Sequence, residues 1–344
     1  IEALMPTLKY LLSQDSKIIL VSHFGRPQAG TFDPQNSLQP IAKRIEELLN
    51  YKVDFISKIE EVRFKSTISI LENTRFLIGE LENDEELSKS LGSMAAVYVF
   101  DAFGTAHREQ ASTVGAIYQA NLSCAGLLLE AEVEALTRVT KSNNRPLLSI
   151  VGGSKVSTKL QVLKNLSQLS DYIITGGGIT NTFLKAQGFN IGKSLHEESM
   201  LDEARKILRN SSIHLPSKVV VAPSMDSLEY RICDIESVQD HEMILDQYLD
   251  NKSLELISNA KQIIWNGPVG VFEKENFSDG TRSLAKAIAE SSAFSLAGGG
   301  ETLLAIKLFI NKSDISYCST GGGAFLEFME GKELPSLTAL GFTN

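Results

Sequence analysis

PLLSIVGGSKVSTKLQVLKNL, residues 146–166, reads as a strand, a glycine turn and a helix in immediate succession. PLLSIV is a continuous apolar run, the pattern of a strand buried on both faces. The glycines permit close backbone approach, and a helix that starts directly after them offers free N–H groups to an anion. Lys155 and Lys159 are spaced i,i+4 at the start of that helix and so share one face. Alone, the pair is equally well read as a solvated helical face; directly after GGS, a phosphate contact is favoured.

The same unit recurs. After Arg145 the runs DYIIT, KVVVA, QIIWN, AFSLA and ISYCS alternate with amphipathic segments. Before it, KIILVS (17–22), KVDFI (52–56), TISIL (67–71) and AVYVFD (96–101) read as strands, and IAKRIEELL (41–49) and ELSKSLGSM (86–94) as helices. Strand–helix alternation predicts parallel sheets with right-handed crossovers. The two series predict an α/β protein of two Rossmann-like, doubly wound parallel-sheet domains. LEAEVEALTRVTKS (129–142) is expected to be the hinge helix between them.

In such sheets ligands bind outside the carboxyl ends of the strands. In the first half those ends read SHFGRP (22–27), ENTRF (72–76) and DAFGTAHREQAS (101–112), and they supply His23, Arg26, Arg75, His107 and Arg108. Guanidinium groups suit bidentate binding of phosphate or carboxylate. Surface salt bridging explains one arginine; it explains several at equivalent strand ends poorly. In the second half the ends are IVGGSK (150–155), ITGGGI (174–179), LAGGGE (296–301) and STGGGA (319–324). Tight helix–strand packing accounts for a single glycine cluster. Four clusters at four strand ends point to a phosphate-bearing ligand.

Composition sets the limits. A chain of 344 residues, 43% hydrophobic and 22% charged, suits about two globular domains. A net charge of −9 argues against a dedicated nucleic-acid binder, without excluding small anionic ligands. Three scattered cysteines, Cys124, Cys233 and Cys318, form no disulfide framework, so a reducing compartment is expected. The uncharged stretch from Gln110 to Leu129 contains too many polar residues and glycines for a membrane span. GFNIGKS (188–194) has three residues between its glycines, not the four of a P-loop. No GxGxxG follows a strand, which leaves a dehydrogenase without its usual dinucleotide fingerprint. His196, His214 and His241 lack metal-ligand spacing. The residues together describe a basic anion rim in one domain and a glycine-lined phosphate site in the other, as phosphoryl transfer between a small anion and a nucleotide requires.

The motifs SHFGRP, LENTRF, DAFGTAHR, GGSKVSTKL, TGGGITNTFLK, WNGPVGVFE and STGGGAFLEFMEGKELP closely resemble the signatures of the phosphoglycerate kinase family, in its bacterial form, and occur in that family's order. The resemblance implies reversible transfer from 1,3-bisphosphoglycerate to ADP, giving 3-phosphoglycerate and ATP, the first ATP-yielding step of glycolysis. It implies a hinge-bending cytoplasmic monomer that uses Mg²⁺ with its nucleotide and binds neither nucleic acid nor membrane. It implies a phosphoglycerate-binding domain at 1–128, with the segment 334–344 packing back on it. The interdomain helix would span 129–142 and the nucleotide-binding domain 143–333.

Carried over by motif, the phosphoglycerate contacts fall on His23, Arg26, Arg75 and Arg108. Lys155, Gly300 and Gly323 fall on the catalytic positions. Lys159, Gly177, Gly178, Asn266, Pro268, Glu273, Gly298, Gly299 and Thr302 fall on nucleotide positions. Glu301 stands at the metal position, where the family usually has aspartate; the extra methylene moves the carboxylate by ~1.5 Å. Retained but altered metal use is the expectation. The sequence starts at Ile1, immediately after the place of the family's first strand and an arginine that contacts the transferring phosphoryl group. The expectation is that the source protein carries that segment and that these residues alone would lack one catalytic cation. The competing reading is a non-catalytic homologue that binds nucleotide.

Overall fold

The computed structural model describes residues 1–61, 66–141 and 143–342. The chain divides into two units, Ile1–Val133 with Glu333–Asn344, and Glu134–Lys332.

The first unit opens with α1 (Met5–Ser13) and β1 (Ile18–Leu20). Next, α2 (Gln39–Leu49) buries Ala42 and Ile45 and stops at Asn50, whose φ of +54° is the left-handed conformation common just past a helix end. There follow β2 (Val53–Ile56), β3 (Ile68–Leu71) and α3 (Glu85–Gly92). The Asp84 carboxylate caps α3, accepting from Leu87 N at 2.9 Å. β4 (Tyr98–Phe100), α4 (Ala116–Gln119) and β5 (Ser123–Ala125) lead into α5 (Leu127–Lys141). The expected hinge helix thus begins two residues early, and residue 142 lies outside the described residues. Asp101 anchors its start: Oδ1 accepts from Leu129 N at 2.8 Å, and Oδ2 accepts from Thr7 Oγ1 at 2.5 Å. The parallel pairing that the alternation predicts is present in two sheets, β1-β3-β2 and β4-β5.

In the second unit come β6 (Leu147–Gly152), α6 (Val156–Leu169), β7 (Tyr172–Gly176) and α7 (Gly177–Ala186). These are followed by α8 (Leu201–Asn210), β8 (Ile213–His214), β9 (Lys218–Ala222), β10 (Arg231–Asp234), β11 (Met243–Gln247), α9 (Asn251–Asn259) and β12 (Gln262–Asn266). The last are α10 (Asp279–Glu290), β13 (Phe294–Ala297), α11 (Gly300–Phe309), β14 (Tyr317–Cys318) and α12 (Gly322–Met329). Six strands form one parallel sheet in the order β14-β13-β12-β6-β7-β8. β6 and β12 are buried along their whole length, as their unbroken apolar runs require. Trp265 is fully buried in this core, and its indole Nε1 donates to Gly267 O at 2.9 Å.

KVVVA does not join the parallel series. As β9 it is the centre of an antiparallel sheet, β10-β9-β11. No α-helix separates these three strands in the chain, and a parallel pairing needs a crossover of about a dozen residues or more. GFNIGKS is no phosphate loop: it follows α7, and its Lys193 N and Ser194 Oγ bond to Glu242 O and Ile244 N beside β11. Finally α13 (Pro335–Ala339) returns to the first unit, where Ser336 N donates to Ala106 O at 3.1 Å. Among the described residues no helix is long and apolar enough to cross a membrane.

Candidate functional site

The first unit gathers its basic residues on the segments that leave β1, β3 and β4. Asn73 organises them with one amide group. Its Oδ1 accepts from Phe24 N and Arg75 N at 3.2 and 3.1 Å, and its Nδ2 donates to Phe24 O and Asn36 O at 2.7 and 2.8 Å. Asn73 thereby fixes the turn bearing His23 and Arg26 against the turn bearing Arg75. Arg75 Nη1 donates to Gly25 O, where a φ of +64° suits glycine. Arg108 Nη1 lies 3.3 Å from His23 Nε2. Guanidinium can only donate, so the imidazole nitrogen is the acceptor and the ring is neutral. Burial, then the charges of Arg75 and Arg108, push the His23 pKa down to about 4. Burial and the neighbouring charges of Arg108 and Arg26 likewise lower Arg75. Among the described residues none of Arg26, Arg75 and Arg108 forms an ion pair. Mutual repulsion, which the charge of Glu80 offsets only in part at Arg75, makes this a surface that an anion would stabilise.

In the second unit the parallel sheet places Lys155, Gly177, Gly178, Asn266, Pro268, Gly298 and Gly323 along one edge, at the carboxyl ends of the strands. Lys159 Nζ donates to Asn266 Oδ1, and Asn266 Nδ2 donates to Gly298 O at 2.7 Å. Burial lowers the Lys159 pKa to about 8, and the charge of Glu301 partly offsets that. Glu273 is exposed, just beyond the buried Asn266 and Pro268. Thr302, at a nucleotide position by the family resemblance, is fully buried. Its hydroxyl accepts from Gly267 N and donates to Gly298 O, both at 2.8 Å, so it ties two turns together.

The glycines divide into two kinds. A Cβ on Gly152, Gly176 or Gly178 would lie 1.9, 2.4 or 2.1 Å from a backbone carbonyl oxygen, so tight packing accounts for them. A Cβ on Gly300 or Gly322 would meet nothing within 4 Å. The helix N-termini divide in the same way. α7 spends amides on Val269 O and Gly153 O. α6 is capped by Glu197, whose carboxylate accepts from Ser157 N at 2.8 Å and Ser157 Oγ at 2.5 Å. Of the amides expected to be free after GGSK, that of Ser157 is thus taken by an internal carboxylate. α11 and α12, which begin at Gly300 and Gly322, have no side-chain cap, and their open N-termini suit phosphate oxygens.

Glu301 lies in the first turn of α11. Among the described residues no group of three or more His, Cys, Asp or Glu could hold a metal. One exposed carboxylate beside an open helix N-terminus fits Mg²⁺ that arrives on nucleotide phosphates, since Mg²⁺ uses one or two carboxylates together with substrate phosphates.

The phosphoglycerate kinase family model matches residues 1–332. The chain belongs to the phosphoglycerate kinase family. It is 47% identical to the phosphoglycerate kinases of Francisella philomiragia and Francisella tularensis subsp. holarctica, over 99% of this chain and 89% of each of theirs. It is similar to the solved phosphoglycerate kinase of Coxiella burnetii, with a TM-score of 0.94 and 44% identity over 98% of this chain and 89% of that one. Against the phosphoglycerate kinase of Pyrococcus horikoshii the TM-score is 0.80, with 34% identity over 99% of this chain and 90% of that one. Asn73 stands inside the LENTRF motif, which implies no role for it. Nothing local links Glu197 to a helix start forty positions earlier.

Proposed function

We propose that this protein transfers a phosphoryl group reversibly from 1,3-bisphosphoglycerate to ADP, as the cytoplasmic phosphoglycerate kinase of its source. The observation that carries the reading is the set of unpaired guanidiniums around a neutral His23. Such a surface suits the carboxylate and phosphate of a phosphorylated acid. Arg26, Arg75 and Arg108 supply charge and donors, and His23 supplies a neutral polar contact.

On the second unit, Lys159 and the open N-termini at Gly300 and Gly322–Gly323 bind the nucleotide phosphates, with Lys155 beside the phosphoryl group in transit. Gly177, Gly178, Pro268 and Glu273 hold the base and ribose; Asn266, Gly298, Gly299 and Thr302 keep Lys159 and α11 in register. Glu301 is the ligand to nucleotide-borne Mg²⁺. That ion, when bound, neutralises charge on the phosphate oxygens. Transfer of this kind depends on alignment and charge neutralisation, so these residues need not form a covalent intermediate. Hinge closure brings the substrates together and excludes water from the acyl phosphate.

A coupled assay of ATP formation from 1,3-bisphosphoglycerate and MgADP with the full-length protein tests the reading. Turnover that Arg75→Ala and Lys155→Ala each suppress supports it. Nucleotide binding without turnover replaces it with the non-catalytic alternative.

A further inference from the structure

Glu80 is an acid that the reading above leaves without work, and it is 1% exposed. Among the described residues its carboxylate forms no ion pair. Oε1 accepts from Ser112 Oγ at 2.5 Å and from Thr74 Oγ1 at 3.3 Å, and Oε2 accepts from Ser112 N at 3.2 Å. Its backbone oxygen accepts from Ala111 N at 2.9 Å. The donors come from two segments distant in sequence. Thr74 directly precedes Arg75. Ser112 and Ala111 follow Arg108 on the turn where Thr113 Oγ1 donates to Arg108 O at 2.5 Å. Tyr98 reinforces the same turn, its hydroxyl donating to Ser112 O at 2.7 Å.

We propose that Glu80 is a positioning residue for the anion surface: it joins the turn of Arg75 to the turn of Arg108 and so sets the separation of the two guanidiniums. It acts through those arginines and touches no substrate. The arginines repel one another, so without a link behind them their turns would part. The link is made of hydrogen bonds to a charged acceptor, the stronger kind, in a buried place where losing an acceptor is costly. Burial pushes the Glu80 carboxyl pKa up, while the Ser112 and Thr74 hydrogen bonds and the charge of Arg75 pull it back.

The proposal rests on the phosphoglycerate reading of this surface, and the test separates the two. Steady-state kinetics in the ATP-consuming direction would compare wild type with Glu80→Gln, Ser112→Ala and Arg75→Ala. Glu80→Gln keeps the shape but removes the charge and one of the two acceptor oxygens, so the charge-assisted hydrogen bonds from Ser112 and Thr74 are lost. It should raise KM for 3-phosphoglycerate about tenfold or more and leave KM for ATP within about twofold. Ser112→Ala, which removes one hydroxyl, should raise the same KM by a few-fold. A general loss of structure would move both KM values or the active fraction; a positioning role moves one. If Arg75→Ala raises KM for 3-phosphoglycerate and Glu80→Gln does not, the proposal falls alone. If Arg75→Ala leaves it unchanged, the reading of the surface falls and takes the proposal with it. Should Glu80→Gln fail to fold, Ser112→Ala decides, and an unchanged KM for 3-phosphoglycerate overturns the proposal.

Discussion

Nε2 of His23 accepts a hydrogen bond from Nη1 of Arg108 at 3.3 Å, so the histidine sits neutral among cations. Its pKa is lowered from 6.5 to about 4 by burial and by Arg75 and Arg108. A proton NMR titration of the His23 ring should show a midpoint near 4 in the free protein. Adding 3-phosphoglycerate should raise it, because the anion screens the arginines. The folded value lies below the unfolded one, so this group's contribution to stability is complete above pH 6.5. It is lost as pH falls toward 4. A midpoint near 6.5, unmoved by ligand, would contradict the picture.

Lys159 gives the opposite signature. Burial lowers its pKa to about 8, so its charge disappears as pH rises through that value. A phosphate partner favours the charged form. ADP affinity measured by calorimetry should weaken by about tenfold from pH 7 to pH 9 if binding requires the ammonium. In Lys159→Met the affinity should be lower and flat with pH. A wild-type profile as flat as the mutant's would remove Lys159 from the nucleotide contact.

The two kinds of glycine predict two kinds of mutant. Gly178→Ala places a methyl 2.1 Å from Ser154 O and should lower the melting temperature sharply. Gly300→Ala meets nothing at the first position of α11, and it narrows the freedom of the unfolded chain. It should keep or raise the melting temperature while kcat/KM for the nucleotide falls. Full activity in Gly300→Ala would show that no ligand approaches there.

Glu197 caps α6 from the segment before α8. The Ser157 hydrogen bonds hold its pKa below the usual carboxylate value despite partial burial. Glu197→Ala should therefore cost about 1 kcal/mol in urea unfolding, the usual worth of an N-cap. Its contribution is present above the ordinary carboxylate pKa and lost on acidification. The difference between mutant and wild type should thus shrink as pH drops below about 4.

Much of this molecule is written in local pattern. Each apolar run quoted from the sequence is a strand, and most of the intervening amphipathic segments are helices. The rim of His23, Arg26, Arg75 and Arg108 follows from which residues come next after β1, β3 and β4. Pattern misled where two solutions share one signal. KVVVA has the same apolar run whether its sheet is parallel or antiparallel; the length of the connections decides. GGSK announces a helix start but not its occupant, and Glu197 arrives from forty residues away. Thr302 matches a family position, and only packing reveals that its hydroxyl is already shared between Gly267 and Gly298. Glu80 carries no local mark of its work, because its donors lie 6 and 32 positions distant.

The return of α13 to Ala106 bears on how the protein emerges from the ribosome. The first unit is interrupted by the whole of Glu134–Lys332 before Ser336 is made. Domains made during synthesis ordinarily finish in N-to-C order. Here the second unit can complete its six-stranded sheet first, while the first waits for residues from the far side of it. Of these two units, the one whose synthesis begins earlier is the one that closes later.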